Sequence, residues 1–168
     1  MASKDLFTIR FTGEGMAPET ISLGDLAEIL KSVESCLLSL MGAETDPAKD
    51  PPLIGLVRIG RGSASLHFTA THRTRATRVY TQLATSLEVG RFQYLPKAAK
   101  DGGRELADFA RRRGCLAEFR LAGRRDPLAV LAPDMSFEEV GSAPLFSGET
   151  TIYGELLNLA KKASSEGK

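Results

Sequence analysis

Two histidines, two cysteines and fourteen arginines are the side chains of this 168-residue chain best suited to chemistry. His67 lies on the polar side of an alternating stretch, Ser63 to Ala70, with Ala64, Leu66, Phe68 and Ala70 on the other side. A histidine so placed could serve as a general base if a second group oriented its ring. The sequence identifies no such partner, so a surface histidine is expected. His72 stands five residues further on and projects to a different face, which is no metal-binding spacing. Cys36 falls in an apolar helical pattern and Cys115 opens an apolar strand. With no Cys-x-x-Cys pair, two buried thiols are expected and no structural zinc.

Two glycine clusters invite a phosphate-loop reading. Gly60-Arg61-Gly62 has Ser65 where a dinucleotide fingerprint needs a third glycine, and it leads into a strand, whereas phosphate cradling uses a helix N-terminus. Lys100-Asp101-Gly102-Gly103-Arg104 precedes a short helical pattern, where Asp101 is expected to act as an N-cap. No Gly-x-Ser-x-Gly elbow, His-Glu-x-x-His pair or Walker lysine is present. The sequence thus nominates no catalytic residue, no metal ligand and no cofactor.

The arginines are unevenly placed. The formal charge of the chain is only +1, which excludes a uniformly basic protein. Yet residues 1–53 carry a net −5, residues 54–125 a net +10 and residues 126–168 a net −4. Within the basic centre, Arg73, Arg75, Arg78, Arg111, Arg112, Arg113, Arg124 and Arg125 form the candidate binding patch. Guanidinium groups suit phosphate because they donate two parallel hydrogen bonds and stay charged. Tyr80, Phe92 and Tyr94 lie nearby in sequence as candidate stacking partners. A structural use competes: Arg111 to Arg113 fall in a last helical turn, where cations meet the helix dipole, and Asp108 is spaced to pair with Arg111 or Arg112. The acidic ends would then fold over the basic centre, or over that of a neighbouring copy.

The elements that must position these groups are legible in outline. Phe7, Ile9 and Phe11 alternate with Thr8 and Arg10, a half-buried strand. Leu23, Leu26, Leu30, Val33, Leu37 and Leu40 recur at intervals of three and four, a helical stripe with Ser22 as N-cap, Ile21 and Leu26 as a hydrophobic staple, and Gly42 as a stop. The stripe would pack on its own sheet or on a second subunit. Leu53 to Ile59 and Ser63 to Ala70 form a hairpin about Gly60-Arg61-Gly62. A helix follows over 74–88, then an irregular stretch over 91–100, a short helix after Gly103, a second hairpin over 115–132, and a last strand over 150–159. Residues 161–168 form a polar tail.

Hairpins beside helices predict a single α+β domain over 1–160, with a mainly antiparallel sheet packed against one long and one or two shorter helices. The strand–helix–hairpin–helix portion also fits a split β-α-β unit. Hydrophobic residues at 42% and charged residues at 26% exclude wholesale disorder. No apolar run approaches the ~20 residues of a membrane helix, and no secretory signal is visible, so a cytoplasmic location without a membrane partner is expected. Arginine outnumbers lysine 14 to 8 and Asn158 is the one asparagine, a bias of GC-rich bacterial genomes.

The segments Gly62 to Phe68 and Gly148 to Leu156, the latter containing Thr150-Thr151-Ile152-Tyr153-Gly154, resemble stretches of an uncharacterised family of bacterial proteins. In that family a Thr-Thr-Ile-Tyr-Gly-like strand often leads into a further small β-domain. The resemblance implies a bacterial protein of unassigned function, and the chain ends soon enough after Leu156 that the extra domain is expected to be absent. Together these readings predict a non-enzymatic interaction or accessory module. Its partner would be an acidic protein surface or another copy of itself. The alternatives are a nucleic-acid-binding protein using the central arginines, and a small enzyme whose site the sequence does not reveal.

Overall fold

The alternation of Phe7, Ile9 and Phe11 makes the first strand, β1 (Phe7–Thr12), the middle of a five-stranded sheet. The computed structural model describes residues 5–42 and 50–135. After β1 come a 3-10 turn (Pro18–Thr20), helix α1 (Leu23–Met41), strands β2 (Ile54–Gly60) and β3 (Ala64–Ala70), helices α2 (Arg73–Glu88) and α3 (Lys97–Arg113), and strands β4 (Leu116–Leu121) and β5 (Ala129–Leu131). The sheet order is β2-β3-β1-β4-β5, and every neighbouring pair is antiparallel. Through β4 this is the split β-α-β arrangement, with two helices in the second crossover and β5 added at one edge. The expected α+β class is what the chain adopts. The predicted strand over 150–159 and the tail over 161–168 lie outside the described residues.

Period-two burial decides the two faces of the sheet. Phe7, Ile9 and Phe11 of β1, Leu66 and Phe68 of β3, and Ala117 and Phe119 of β4 are buried with the helices in one core. Each of the phenylalanine, isoleucine and leucine side chains removed from water contributes about 1.5–3 kcal/mol. The intervening residues Thr8, Arg10, Ser65, His67, Glu118 and Arg120 point to the other face. In β2 the register shifts between Leu56 and Arg58, a bulge at Val57. Leu56 therefore pairs with Phe68 and Arg58 with His67.

Two sequence expectations for the helices require correction. The leucine stripe of α1 is only part of its buried face: Val33 and Leu37 of the stripe are buried, but Leu23 is 84% exposed, and Ile29, Ser32, Cys36 and Met41 join the core from beside it. Leu26, Leu30 and Leu40 are half-buried and border the core. The second correction supplies the reason. Residues 97–113 form one helix of 17 residues, with Gly102 and Gly103 in its middle and Asp101 inside it, not at its N-cap. A Cβ on Gly102 would stand 2.4 Å from the Cys36 sulfur and 2.7 Å from the Ser32 carbonyl oxygen. The glycine lets α3 lie against the small residues of α1, which turns that side of α1 inward. The predicted Ser22 cap is present, its Oγ accepting from the Asp25 amide at 3.0 Å. Gly114 closes α3 in the left-handed region at φ 58°.

One side chain ties the helices to the sheet. Tyr80 of α2 is fully buried, its ring stacked on Phe7 at 4.3 Å between centroids. Its hydroxyl donates to the Thr8 carbonyl at 2.8 Å and accepts from the Arg120 amide at 3.1 Å. Thr8 and Arg120 face each other across β1 and β4. Burial holds the Tyr80 phenol well above its ordinary pKa, and burial likewise pushes the Cys36 thiol up to about 12.

Gly102→Ala is expected to destabilise the fold by about 1–3 kcal/mol through overpacking, although alanine is favoured over glycine by up to about 1 kcal/mol in a helix. A urea unfolding midpoint reads this directly. Tyr80→Phe keeps the ring but deprives two backbone groups of a partner, a cost of about 1–3 kcal/mol. The neutral phenol's contribution is complete below the unfolded value near 10 and is lost as pH rises beyond it. The parent should therefore lose more stability than Tyr80→Phe between pH 8 and 11. Equal losses in the two proteins would contradict this role for the hydroxyl.

Candidate functional site

The outward side chains of β1, β3 and β4 form two rows across the sheet. Cross-strand register aligns Arg58, His67, Thr8 and Arg120 in one row, and Gly60, Ser65, Arg10 and Glu118 in the next. Arg61 and Ser63 come from the β2–β3 turn, and Arg124 from the β4–β5 turn at the opposite end of the strands. Thr8, Arg10, Arg61, Ser63, Ser65, His67, Arg120, Leu121 and Arg124 line an open concavity of about 370 Å³.

Hydrogen bonds hold the arginines of this face in place. Arg10 Nε donates to Ser63 Oγ at 2.6 Å. Arg120 donates through Nε to Glu118 at 2.8 Å and through Nη1 to the Arg125 carbonyl at 2.8 Å. Glu118 also lies 4.0 Å from Arg10. Arg61 and Arg124 are exposed and make no ion pair among the described residues. Among the described residues this face thus carries five arginines, Arg10, Arg58, Arg61, Arg120 and Arg124, against two carboxylates, Glu118 and Asp5.

Asp5, just before β1, is the partner of His67 that the sequence does not reveal. It is one of two buried polar residues among those described. One carboxylate oxygen lies 2.9 Å from Arg58 Nη2 and 2.9 Å from His67 Nδ1. The Arg58 hydrogen bond lowers the Asp5 pKa, against an opposing effect of burial, with further lowering by the charges of Arg58 and His67. An ionised Asp5 assigns a hydrogen to His67 Nδ1, with Thr8 Oγ1 at 3.2 Å from the same nitrogen, so that in the neutral ring the lone pair is on Nε2. Nε2 faces the Gly60 backbone: a Cβ there would stand 3.2 Å from it.

The eight arginines nominated from sequence do not gather on this face. Arg73, Arg75 and Arg78 sit on α2, where Arg75 donates to the Met41 carbonyl. Arg111, Arg112 and Arg113 end α3 and hold other parts of the chain. Arg111 pairs with Asp108 at 2.9 Å, Arg112 lies 3.6 Å from Asp25 and 3.8 Å from Glu28 of α1, and Arg113 donates to the Thr20 carbonyl at 2.9 Å. In the Arg112 contacts the acidic N-terminal third meets the basic centre within one chain. Of the eight, Arg124 lines the concavity and Arg125 contributes its carbonyl beside it. Two stacking candidates are also displaced, since Tyr80 and Phe92 are buried while Tyr94 is 72% exposed.

Sequence reasoning passed over Asp5, Arg10, Ser63 and Ser65 as site residues. The signal was present in the polar sides of the alternating strands, but it required knowing that β1, β3 and β4 are neighbours. Compared with known proteins, the chain matches no family model, no curated protein and no solved structure.

The depressed pKa of Asp5 carries a stability consequence with a definite sign. Its ionised form contributes fully above the unfolded value near 3.9 and is lost as pH falls through the lower folded value. Asp5→Asn should therefore be less stable than the parent at pH 6, with the difference shrinking below about pH 4. Thermal melts across pH 2.5–6 measure it, and a difference that persists undiminished at the acid end would refute the assignment.

Proposed function

We propose that this protein binds single-stranded nucleic acid along the outward face of its sheet, through the phosphate backbone. The observation that carries this reading is the convergence of Arg10, Arg61, Arg120 and Arg124 around serine and threonine hydroxyls, on a face that no described element covers. Guanidinium forks and hydroxyls are the groups that contact phosphate oxygens. Among the described residues this face presents no Phe, Tyr or Trp side chain, so it lacks the stacking platform of large aromatic rings, and binding would be tolerant of sequence. Self-association through α1 has less support, because Ile29, Val33 and Leu37 already pack in the core of their own chain.

Affinity for a short single-stranded oligonucleotide should fall with salt, at about −0.7 in log–log slope per phosphate contact. Arg61→Ala with Arg124→Ala should flatten that slope by about 1.4. Arg111→Ala, Arg112→Ala and Arg113→Ala together should leave binding unchanged. Polyglutamate binding equal to that of the oligonucleotide would point to an acidic protein partner and overturn the reading, as would no binding at low salt.

A further inference from the structure

Holding a phosphate backbone requires positive charge and donors. It does not require a histidine fixed to a buried carboxylate. His67 is such a residue: Asp5 takes Nδ1, Arg58 holds Asp5, and Nε2 lies over a glycine that leaves room beside it. The ring lines the same concavity as Arg10 and Arg120. An oriented imidazole with a free nitrogen is the equipment of a general base. Among the described residues the one hydroxyl on the ring is that of Thr8, and it shares Nδ1 with Asp5. No described side chain is therefore poised as a nucleophile at Nε2, and a substrate that brings its own nucleophile beside a phosphate fits the site.

We infer that RNA bound on this face is cleaved with His67 as the base, an inference that rests on the nucleic-acid reading above. His67 Nε2 takes the proton of a ribose 2′-hydroxyl. The 2′-oxygen then bonds to the adjacent phosphorus, and the bond from phosphorus to the 5′-oxygen breaks. The departing 5′-oxygen takes a proton from solvent water, and His67 returns its own proton to the hydroxide so formed. The products are a 2′,3′-cyclic phosphate and a 5′-hydroxyl end, with no net consumption of water. Arg10 and Arg120 supply charge to the non-bridging oxygens as negative charge builds on phosphorus. Asp5 is a positioning residue that fixes the ring.

The test uses the full chain, a synthetic RNA oligonucleotide and its all-deoxy counterpart, with binding and cleavage measured on both. The RNA should be cut to cyclic-phosphate and 5′-hydroxyl ends, and the deoxy strand bound but left intact. His67→Ala should bind RNA within about twofold of the parent and cleave at least ~100-fold more slowly, with added imidazole restoring part of the rate. Gly60→Ala, which closes the space beside Nε2, should slow cleavage at least ~10-fold without touching an arginine. RNA bound but uncut overturns this inference and leaves the binding reading standing. Equal cleavage of the deoxy strand, or undiminished cleavage by His67→Ala, also overturns it. Failure to bind either strand overturns both readings.

Discussion

The hydroxyl of Tyr80 is the point on which the two layers of this protein depend. A phenol buried without partners would cost several kilocalories per mole, and one satisfied twice becomes a fixed spacer. Here the partners are the Thr8 carbonyl and the Arg120 amide, on adjacent strands. Their side chains emerge on the far side of the sheet, in the row that also contains His67. The ring that stacks on Phe7 in the core thus fixes the backbone beneath the outward face. Packing on one side of the sheet and the polar row on the other share the same two peptide groups.

Arginine has two distinct uses in this chain. At the end of α3 it is structural: Arg112 and Arg113 join that helix to Asp25, Glu28 and the turn before α1, where the cations also meet the helix dipole. These are exposed pairs, each worth little by itself, and their positive charge is largely matched within the chain. On the sheet, Arg10 and Arg120 share one carboxylate and are braced by neutral oxygens, while Arg61 and Arg124 reach out from turns. The density of arginine along the sequence therefore does not locate the surface with excess charge. The pairing with acidic residues does.

Much of this fold can be read from residue spacing because strands and hairpins announce themselves locally. The alternation in β1, β3 and β4, the Gly60–Gly62 reversal and the Ser22 cap all follow from side chains within a few positions of one another. The misreadings share one cause, which is long-range contact. Gly102 looks like punctuation in a sequence, yet it serves a helix crossing with residues some seventy positions away. That crossing turns α1 so that Cys36 is inside and Leu23 outside. The Asp5–His67 pair joins the residue leading into β1 to a position on β3, and only the sheet order establishes that those strands are adjacent. Polar faces were legible strand by strand, and the site appears when three of them are set side by side.

The bulge at Val57 has a consequence for the parity of β2. Ile54 and Leu56 occupy one phase of the strand, and one extra residue then inverts it, so that Ile59 returns to the core side opposite Leu66. Without that inversion Arg58 would fall opposite Leu66 and turn toward the helices, and Asp5 would lose the guanidinium that holds it ionised. The same irregularity lies on an edge strand, where a kink discourages another chain from adding on. A single inserted backbone unit thus sets which side chains of β2 join the outer row and kinks an edge of the described sheet, which makes the residue count between Ile54 and Gly60 as constrained as any side chain on that face.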